Sequence, residues 1–183
     1  MIIVSQNLLK YGVDIPPDSI LRLNLAWHEK LRTASELLVK HRFSKIFLDI
    51  PRGRKKPPNY NHETSDIMAL VSKFPNIEYI AISNIENSGQ VIYYQGLFSN
   101  VKIVPKIESY IGIKNAADII ATLNYWDKVV MLDHQDLYSD LVGMGRDKEY
   151  LELVASLEET CKRLGCYLLR TVGVVFSGWE DDK

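Results

Sequence analysis

Lys106 and Glu108 are the pair of side chains in this sequence best arranged for chemistry. They lie two residues apart in the β-rich run 103–109, which reads IVPKIES. Because side chains alternate between the two faces of a strand, both point to one face and Ile107 points to the other. This spacing predicts that a lysine and a glutamate enter one cavity together.

Acidic residues follow two of the predicted strands. Glu108 follows one strand and Asp136 follows the next, with Asp133 three residues earlier. A hard divalent cation such as Mg²⁺ takes one or two protein carboxylates and keeps coordination sites for substrate oxygens. Glu108 and Asp136 therefore form a candidate metal site. The alternative is that they cap helices or pair with surface lysines, which is the commoner use of a single acidic residue.

The most concentrated positive charge is the run 52–56, which contains Arg52 and Arg54 and closely follows Asp49. Such a run is compatible with a solvated loop, a site for a phosphate or carboxylate, or nucleic-acid binding. Nucleic acid is the least favoured of the three, because no aromatic side chains are interleaved with the basic ones. The four histidines have no ligand spacing, so we expect no zinc site.

These side chains need elements that hold them at one edge of a sheet. Short β-rich runs alternate along the chain with amphipathic helical stretches, a pattern typical of βα units around a parallel sheet. The longest helical stripe runs from Tyr150 to Leu164 and ends at Gly165. The predicted strands are Ile2–Ser5, Ile20–Trp27, Lys45–Ile50, Tyr79–Asn84, Val101–Ile107, Lys128–Asp133 and Cys166–Thr171, with Val174–Phe176 as an eighth candidate.

Seven or eight such units predict an α/β fold of the TIM-type (β/α) barrel class, in which catalytic groups follow the carboxyl ends of the strands. Because 183 residues is short for this fold, we expect a small and incomplete barrel that occupies residues 1–183 as one domain. An open doubly wound sheet is the competing architecture, but no glycine-rich phosphate turn follows any strand. A missing strand would leave an open edge, so we expect a homo-oligomer.

Composition restricts the function classes further. The chain is 46% hydrophobic and 25% charged, as in globular proteins, and its net charge of -1 provides no field for nucleic acid or anionic membranes. No apolar run approaches the roughly 18 residues of a membrane helix, and the first residues lack a basic signal-peptide region. Cys161 and Cys166 suit two reduced core thiols better than a bridge. We therefore expect a cytoplasmic protein that binds neither nucleic acid nor membrane.

Five motifs occur in an order that resembles one enzyme superfamily: RLNLAWH at 22–28, FLDIPRGR at 47–54, YIAISNI at 79–85, IVPKIES at 103–109 and VMLDHQDL at 130–137. In order and spacing they resemble the strand-end motifs of the pyruvate kinase catalytic barrel. The stretch IESYIGIKNAADII is also similar to a segment of the HpcH/HpaI aldolase and citrate lyase family. Both families belong to the phosphoenolpyruvate/pyruvate superfamily, and the resemblance to the superfamily is firmer than to either family.

The resemblance implies a Mg²⁺ or Mn²⁺ site held by Glu108 and Asp136. Asp133 is an alternative to Asp136, because the loop carries one extra residue here. The resemblance also implies that Lys106 stabilises charge on an enolate or transferring group, and that Arg22 contacts a substrate phosphate or carboxylate. A lysine inside a barrel would alternatively form a Schiff base. The other expected substrate-binding residues are Asn24, Asp49, Arg52, Arg54 and Ser83.

The sequence also departs from the pyruvate kinase pattern. Ala26 and Ile50 stand where that family has a Ser and a Thr that help to hold a monovalent cation. Residues 51–62 are expected to replace its lid domain, and we expect its C-terminal regulatory domain to be absent. Aldolase or lyase chemistry on a pyruvate-like 2-oxo acid or enol phosphate is therefore expected over nucleotide phosphoryl transfer. The alternative to an enzyme is a catalytically degenerate barrel that binds a ligand or a partner protein.

Overall fold

The described residues form one parallel β-sheet of seven strands. The computed structural model describes residues 3–11, 16, 18–53 and 57–170. The strands are β1 (Ile3–Ser5), β2 (Ile20–Asn24), β3 (Lys45–Ile50), β4 (Ile77–Ile82), β5 (Lys102–Ile107), β6 (Val129–Leu132) and β7 (Tyr167–Arg170).

Helices connect these strands along the chain. Among the described residues, no helix is both long enough and apolar enough to span a membrane. Short 3₁₀ segments occupy Gln6–Tyr11, Leu25–Trp27 and Asp147–Glu149. The α-helices of the described part are α1 (Leu31–Lys40), α2 (Thr64–Lys73), α3 (Ser88–Leu97), α4 (Tyr110–Lys114), α5 (Ala116–Thr122), α6 (His134–Gly143) and α7 (Tyr150–Arg163).

The order of the strands in the sheet is the same as their order in the sequence, from β1 to β7. When each parallel strand is joined to its next neighbour by a right-handed crossover, all the connecting helices lie on the same side of the sheet. The sheet curls around its other face as a half-barrel, in the manner of a partial TIM barrel. The doubly wound alternative is wrong, because it requires the strand order to reverse within the sheet.

Apolar side chains cover both faces of the sheet. On the inner face, Phe47 and Tyr79 stack with ring centroids 6.0 Å apart. They belong to an inner layer that is distinct from the larger cluster between the sheet and the helices. Because side chains alternate along each strand, Asp49 and Lys106 point to the same inner face as these rings. The inner layer consists of Ile20, Phe47, Tyr79, Ala81, Val104, Val129 and Met131.

β2 is shorter than the sequence predicts. It ends at Asn24 and not at Trp27. The Asn24 side chain accepts a hydrogen bond from the backbone N–H of Ala26, 2.9 Å away, and this cap begins the 3₁₀ turn Leu25–Trp27. The apolar run therefore continues past the strand without remaining extended, because asparagine competes for local backbone hydrogen bonds.

The ends of β4 and β6 also differ from the prediction. β4 covers Ile77–Ile82, and Asn84 has left the extended conformation with a φ of 56°. β6 ends at Leu132, because Asp133 accepts hydrogen bonds from the first turn of α6 as its N-cap. The other predicted strands agree with the structure to within about a residue at each end. The predicted residues Ile2, Thr171 and Val174–Phe176 lie outside the described residues.

Candidate active site

Polar side chains occupy the inner face near the carboxyl ends of neighbouring strands. Arg22 lies in β2, Asp49 in β3 and Lys106 in β5, while Ser83 and Glu108 directly follow β4 and β5. All of them except Arg22 are buried. The inner face of the half-barrel therefore changes from apolar to ionic toward the strand ends, which is where barrel enzymes carry their active sites.

The Lys106 ammonium group is at the centre of this cluster. Its Nζ atom lies 2.7 Å from Glu108 Oε1 and 3.5 Å from Asp49 Oδ1. It also donates a hydrogen bond of 2.9 Å to Ser83 Oγ. Burial lowers the pKa of Lys106, but Asp49 and Glu108 outweigh it, so the pKa is raised above its usual value. Lys106 is therefore a buried, protonated cation.

Asp49 shares its charge between two cations. Its Oδ2 atom accepts a hydrogen bond of 3.1 Å from Arg22 Nε and a second one from Arg22 Nη2. Burial raises the pKa of Asp49, but the charges of Lys106 and Arg22 lower it by more. The pKa therefore lies below its usual value, and the carboxyl is ionised. The fully buried Asp49 thus links Lys106 to Arg22, whose side chain remains 21% exposed.

Glu108 has the opposite balance. Its Oε2 atom accepts a hydrogen bond of 2.8 Å from the backbone N–H of Asn84. Burial raises the pKa of Glu108 by more than Lys106 and the Asn84 N–H lower it, and the nearby Asp133 adds to the increase. The Glu108 carboxylate is therefore the acidic group of the cluster whose charge is least well compensated by the described residues.

Asn84 connects two of the loops that form the site. Its φ of 56° turns the chain sharply after β4 and directs its backbone N–H to Glu108. Its side-chain Nδ2 donates a hydrogen bond of 2.6 Å to the Arg52 carbonyl oxygen in the loop after β3. Gly53 lies against the same amide with a φ of 69°. Asparagine is the residue other than glycine that tolerates this left-handed conformation best.

Three carboxylates converge next to this cluster. Glu108, Asp133 and Asp136 each offer one oxygen, and these oxygens lie within 4.8 Å of one another. Asp133 Oδ1 also accepts the backbone N–H groups of Gln135 and Asp136, at 3.2 and 3.3 Å. The structure thus brings together the two acidic residues that the sequence offered as alternatives, Asp133 and Asp136, and both are half-buried.

This donor set fits a hard divalent cation. Mg²⁺ and Mn²⁺ take carboxylate oxygens, and here all three donors are carboxylates. Glu108 Oε1 is buried and pairs with Lys106 Nζ at 2.7 Å, and a carboxylate oxygen has a further lone pair to offer. A buried oxygen with spare acceptor capacity is what an incoming cation requires.

A cleft of about 640 Å³ opens over the carboxylates. Its far wall is formed by α6, where Asp140 accepts a hydrogen bond of 2.8 Å from the backbone N–H of Tyr110. On another side, Ser109 caps α4 and donates a hydrogen bond of 2.7 Å to Glu86. The cleft is lined by Gly53, Ser83, Asn84, Glu86, Glu108, Ser109, Asp136, Ser139, Asp140, Gly143 and Met144.

Two predicted substrate-binding residues have other bonds in the structure. The Asn24 side chain caps the turn that follows β2. The Arg52 guanidinium donates to the His62 carbonyl oxygen at 3.1 Å and to Thr64 Oγ1 at 2.8 Å, so it fastens its loop to the start of α2. A third, Arg54, lies outside the described residues.

Sequence reasoning missed Asn84, Glu86 and Ser109 as residues that line the cleft. Asn84 and Glu86 follow β4 and Ser109 follows β5, so their position after strand ends was the available signal. Asp140 carried no such signal, because it lies in the second turn of α6 and reaches the site only through the packing of that helix against α4.

No protein-family model matches the sequence, and the search of curated proteins found no match. Solved structures do match. RipC from Yersinia pestis aligns with a TM-score of 0.62 at 14% identity, over 98% of this chain and 77% of that one. An HpcH/HpaI aldolase/citrate lyase family protein from Burkholderia cenocepacia J2315 aligns with a TM-score of 0.65 at 14% identity, over 94% of this chain and 79% of that one.

An HpcH/HpaI aldolase from Desulfitobacterium hafniense DCB-2 also aligns with a TM-score of 0.65, at 11% identity over 95% of this chain and 78% of that one. The fold of the described residues is similar to that of these solved structures. Identities of 11 to 14% establish the fold alone, so the roles of the site residues stay predictions. The resemblance to pyruvate kinase, the homo-oligomer and the cytoplasmic location stay predictions as well.

Proposed function

We propose that this protein is a Mg²⁺- or Mn²⁺-dependent lyase of the aldolase type, acting on a pyruvate-like 2-oxo acid or enol phosphate through an enolate. The observation that carries the proposal is the convergence of Glu108, Asp133 and Asp136 within 4.8 Å, next to the buried ammonium of Lys106. The aldolase and citrate lyase names of the structural neighbours support the same class of chemistry.

Glu108, Asp133 and Asp136 would hold the cation. When bound, a divalent cation acts as a Lewis acid on the oxo and carboxylate oxygens of such a substrate. Asp133 is fixed for this role by its hydrogen bonds to the first turn of α6, and Glu108 is fixed by the N–H of Asn84. The chain thus presents its ligands in a preorganised arrangement.

The cations of the site would stabilise negative charge that develops on the substrate. The raised pKa keeps Lys106 protonated, which suits a charge stabiliser and does not suit a Schiff-base nucleophile. Ser83 Oγ accepts from Lys106, so its own O–H remains to donate toward the cleft that it lines. Arg22 has the more exposed guanidinium and would bind the substrate carboxylate or phosphate.

A second candidate is a catalytically degenerate barrel that binds a ligand or a partner protein without turnover. One observation favours it: both cations expected to act on substrate are already paired with carboxylates, Lys106 with Asp49 and Glu108, and Arg22 with Asp49. The Lys106 side chain is only 1% exposed. In this case the ionic cluster would hold the strand ends together, and the cleft would bind a ligand without converting it.

A thermal-shift titration tests the proposal. Wild type and Glu108→Gln are melted with Mn²⁺, with oxalate as an enolate mimic, and with both, because a ligand that binds only the folded state raises the melting temperature. We expect oxalate to stabilise the wild type only when Mn²⁺ is present, and we expect this shift to be lost in Glu108→Gln. Glu86→Gln, which changes another carboxylate in the same cleft, is the matched control and should keep the shift.

The outcomes separate the two candidates. Mn²⁺-dependent binding of oxalate together with cleavage or decarboxylation of oxaloacetate supports the lyase. Mn²⁺-dependent binding without turnover of oxaloacetate or any aldol adduct of pyruvate supports the degenerate barrel. The absence of any shift with Mn²⁺ in the wild type rules out the metal site and, with it, the proposed lyase.

A further inference from the structure

Cys161 and Cys166 lie close together at a place remote from the cleft. Cys161 lies in the last turn of α7, and Cys166 immediately precedes β7. The carboxylates of the cleft follow the carboxyl ends of β5 and β6, whereas this pair is at the amino end of its strand. The two sites are therefore at opposite ends of the parallel sheet.

The end of α7 holds the two cysteines against each other. Gly165 adopts a φ of 60° and donates its N–H to the Lys162 carbonyl oxygen at 3.3 Å, while the Cys166 N–H donates to the Cys161 carbonyl oxygen at 2.9 Å. This pair of bonds is the Schellman arrangement, in which the residue after the left-handed position packs on the last turn of the helix. Here both members of that contact are cysteines, and the Cys166 thiol also lies 3.7 Å from the Tyr167 carbonyl oxygen.

The thiol pair lies beside a solvent-facing cavity. Both cysteines line a cavity of about 320 Å³, together with Trp126, Asp127 and Lys162. Trp126 is almost fully exposed, so the cavity opens to the surface. Both thiols are free, and both are otherwise buried. A small reagent can therefore come up to the cysteine pair in the folded protein.

We propose that Cys161 and Cys166 are a redox-active dithiol that a hydroperoxide converts into an intramolecular disulfide. Adjacent thiols with one accessible thiolate are the arrangement that favours this reaction over further oxidation. The proposal is independent of the metal site and of the lyase activity.

The two cysteines have different roles in the reaction. The neighbouring Cys161 thiol, the backbone of Val130 and the charge of Lys128 together lower the pKa of Cys166 despite its burial, and the pKa of Cys161 is raised. Cys166 therefore attacks as the thiolate: its sulfur bonds to the outer peroxide oxygen, the O–O bond breaks, and water or an alcohol leaves. The resulting sulfenic acid is attacked by the Cys161 thiol, which loses its proton as the S–S bond forms and a water leaves.

The overall reaction consumes two thiols and one hydroperoxide, and it produces one disulfide, one water and one further water or alcohol. The protein loses two electrons and two protons, which the peroxide accepts. A thiol reductant such as dithiothreitol reverses the change by exchange.

Hydrogen peroxide treatment of the native full-length protein tests the proposal. After treatment and quenching we expect the intact mass to fall by about 2 Da, and both free thiols of the chain to disappear without dimer formation. Dithiothreitol should restore the original mass and both free thiols. In Cys161→Ser the sulfenic acid at Cys166 has no partner, so dimedone should label Cys166. Cys166→Ser should keep its single thiol under the same dose.

Several results would overturn the proposal. These are an unchanged mass, oxidation that begins only in denaturant, a disulfide only between two molecules, or equal reactivity of the remaining thiol in the two serine variants. Far-UV circular dichroism and melting curves of each variant establish that it is folded before the reaction is scored. Reactivity that appears in the folded wild type and is absent in folded Cys166→Ser supports the site.

Discussion

Lys106 and Glu108 form an ion pair of 2.7 Å inside the half-barrel, with their side chains 1% and 2% exposed. Lys106 in β5 and Glu108 directly after it thus meet next to the apolar inner layer, and Asp49 joins them from β3. Buried charges are tolerated only when they are paired, so each of these three groups depends on the others for its charged state. The pairing also determines how substitutions at the site affect stability.

Lys106→Met should reduce the free energy of unfolding strongly. Its loss leaves Glu108 without a counter-ion and leaves Asp49 with Arg22 alone, and uncompensated buried charge of this kind typically costs about 3–5 kcal/mol. Lys102→Met in the same strand is the control. Lys102 bonds the partly exposed Glu78 at 3.4 Å, so its loss should cost less than about 1 kcal/mol. Urea denaturation measures both, and equal losses would contradict the central role of Lys106.

Asn84→Ala should destabilise the protein by about 1 kcal/mol more than Asn84→Gly. Both variants lose the side-chain bond to the Arg52 carbonyl oxygen, but only alanine has a Cβ that opposes the φ of 56°. Both keep a backbone N–H for Glu108. Denaturant midpoints of the two variants measure the cost of a Cβ at this φ. Equal stability of the alanine and glycine variants would contradict the prediction.

Gly112→Ala should cost about 1–3 kcal/mol, because an added Cβ would lie 2.9 Å from the Ile85 carbonyl oxygen. This close approach lets α4 begin directly after Glu108 and Ser109. Gly96→Ala in α3 is the matched control, since its Cβ would meet nothing within 4 Å. There the substitution should stabilise the helix by about 0.5–1 kcal/mol. Opposite signs of the two changes in melting temperature confirm the prediction.

Asp133→Asn and Asp136→Asn should each weaken Mn²⁺ binding about tenfold or more, since both carboxylates belong to the group within 4.8 Å. Asparagine is as good an N-cap as aspartate, so Asp133→Asn should leave the metal-free melting temperature nearly unchanged. Glu86→Gln should keep Mn²⁺ affinity within about threefold. Isothermal titration calorimetry gives the affinities, and full affinity in both asparagine variants would remove Asp133 and Asp136 from the site.

Stability should decline as the pH falls through about 6.5, in part because of His28. Burial, followed by the nearby His62, lowers the pKa of His28, whose Nδ1 bonds Thr33 Oγ1 at 2.9 Å. The unfolded state therefore takes up the proton first, and the stability contributed by neutral His28 is lost from about pH 6.5 down to the lower folded-state pKa. His28→Gln should show a shallower decline in the free energy of unfolding between pH 7.5 and 5.5. Urea titrations of both proteins at the two pH values measure this decline. An equal decline in wild type and His28→Gln would show that His28 does not contribute.

The sequence by itself determined features that depend on near neighbours. Alternation along a strand directs Lys106 and Glu108 to one face, and the βα pattern predicted a partial barrel with acidic residues at its strand ends. Both features follow from spacings of two to four residues, because local backbone geometry fixes the direction in which each side chain points. For the same reason, the five-residue spacing of Cys161 and Cys166 around Gly165 was visible in the sequence, although its meaning as a helix cap was not.

Only the tertiary structure decided the features that depend on distant segments. The bond between Arg22 and Asp49 joins residues 27 positions apart, and it exists because the register aligns β2 with β3. The sequence predicts that Arg52 binds substrate, but it does not show that the packing of its loop directs its guanidinium to Thr64. The sequence could not choose between Asp133 and Asp136, because α6 begins between them and brings both carboxylates to Glu108. Such distances are set by strand register and helix packing over the whole sheet, which no local pattern encodes.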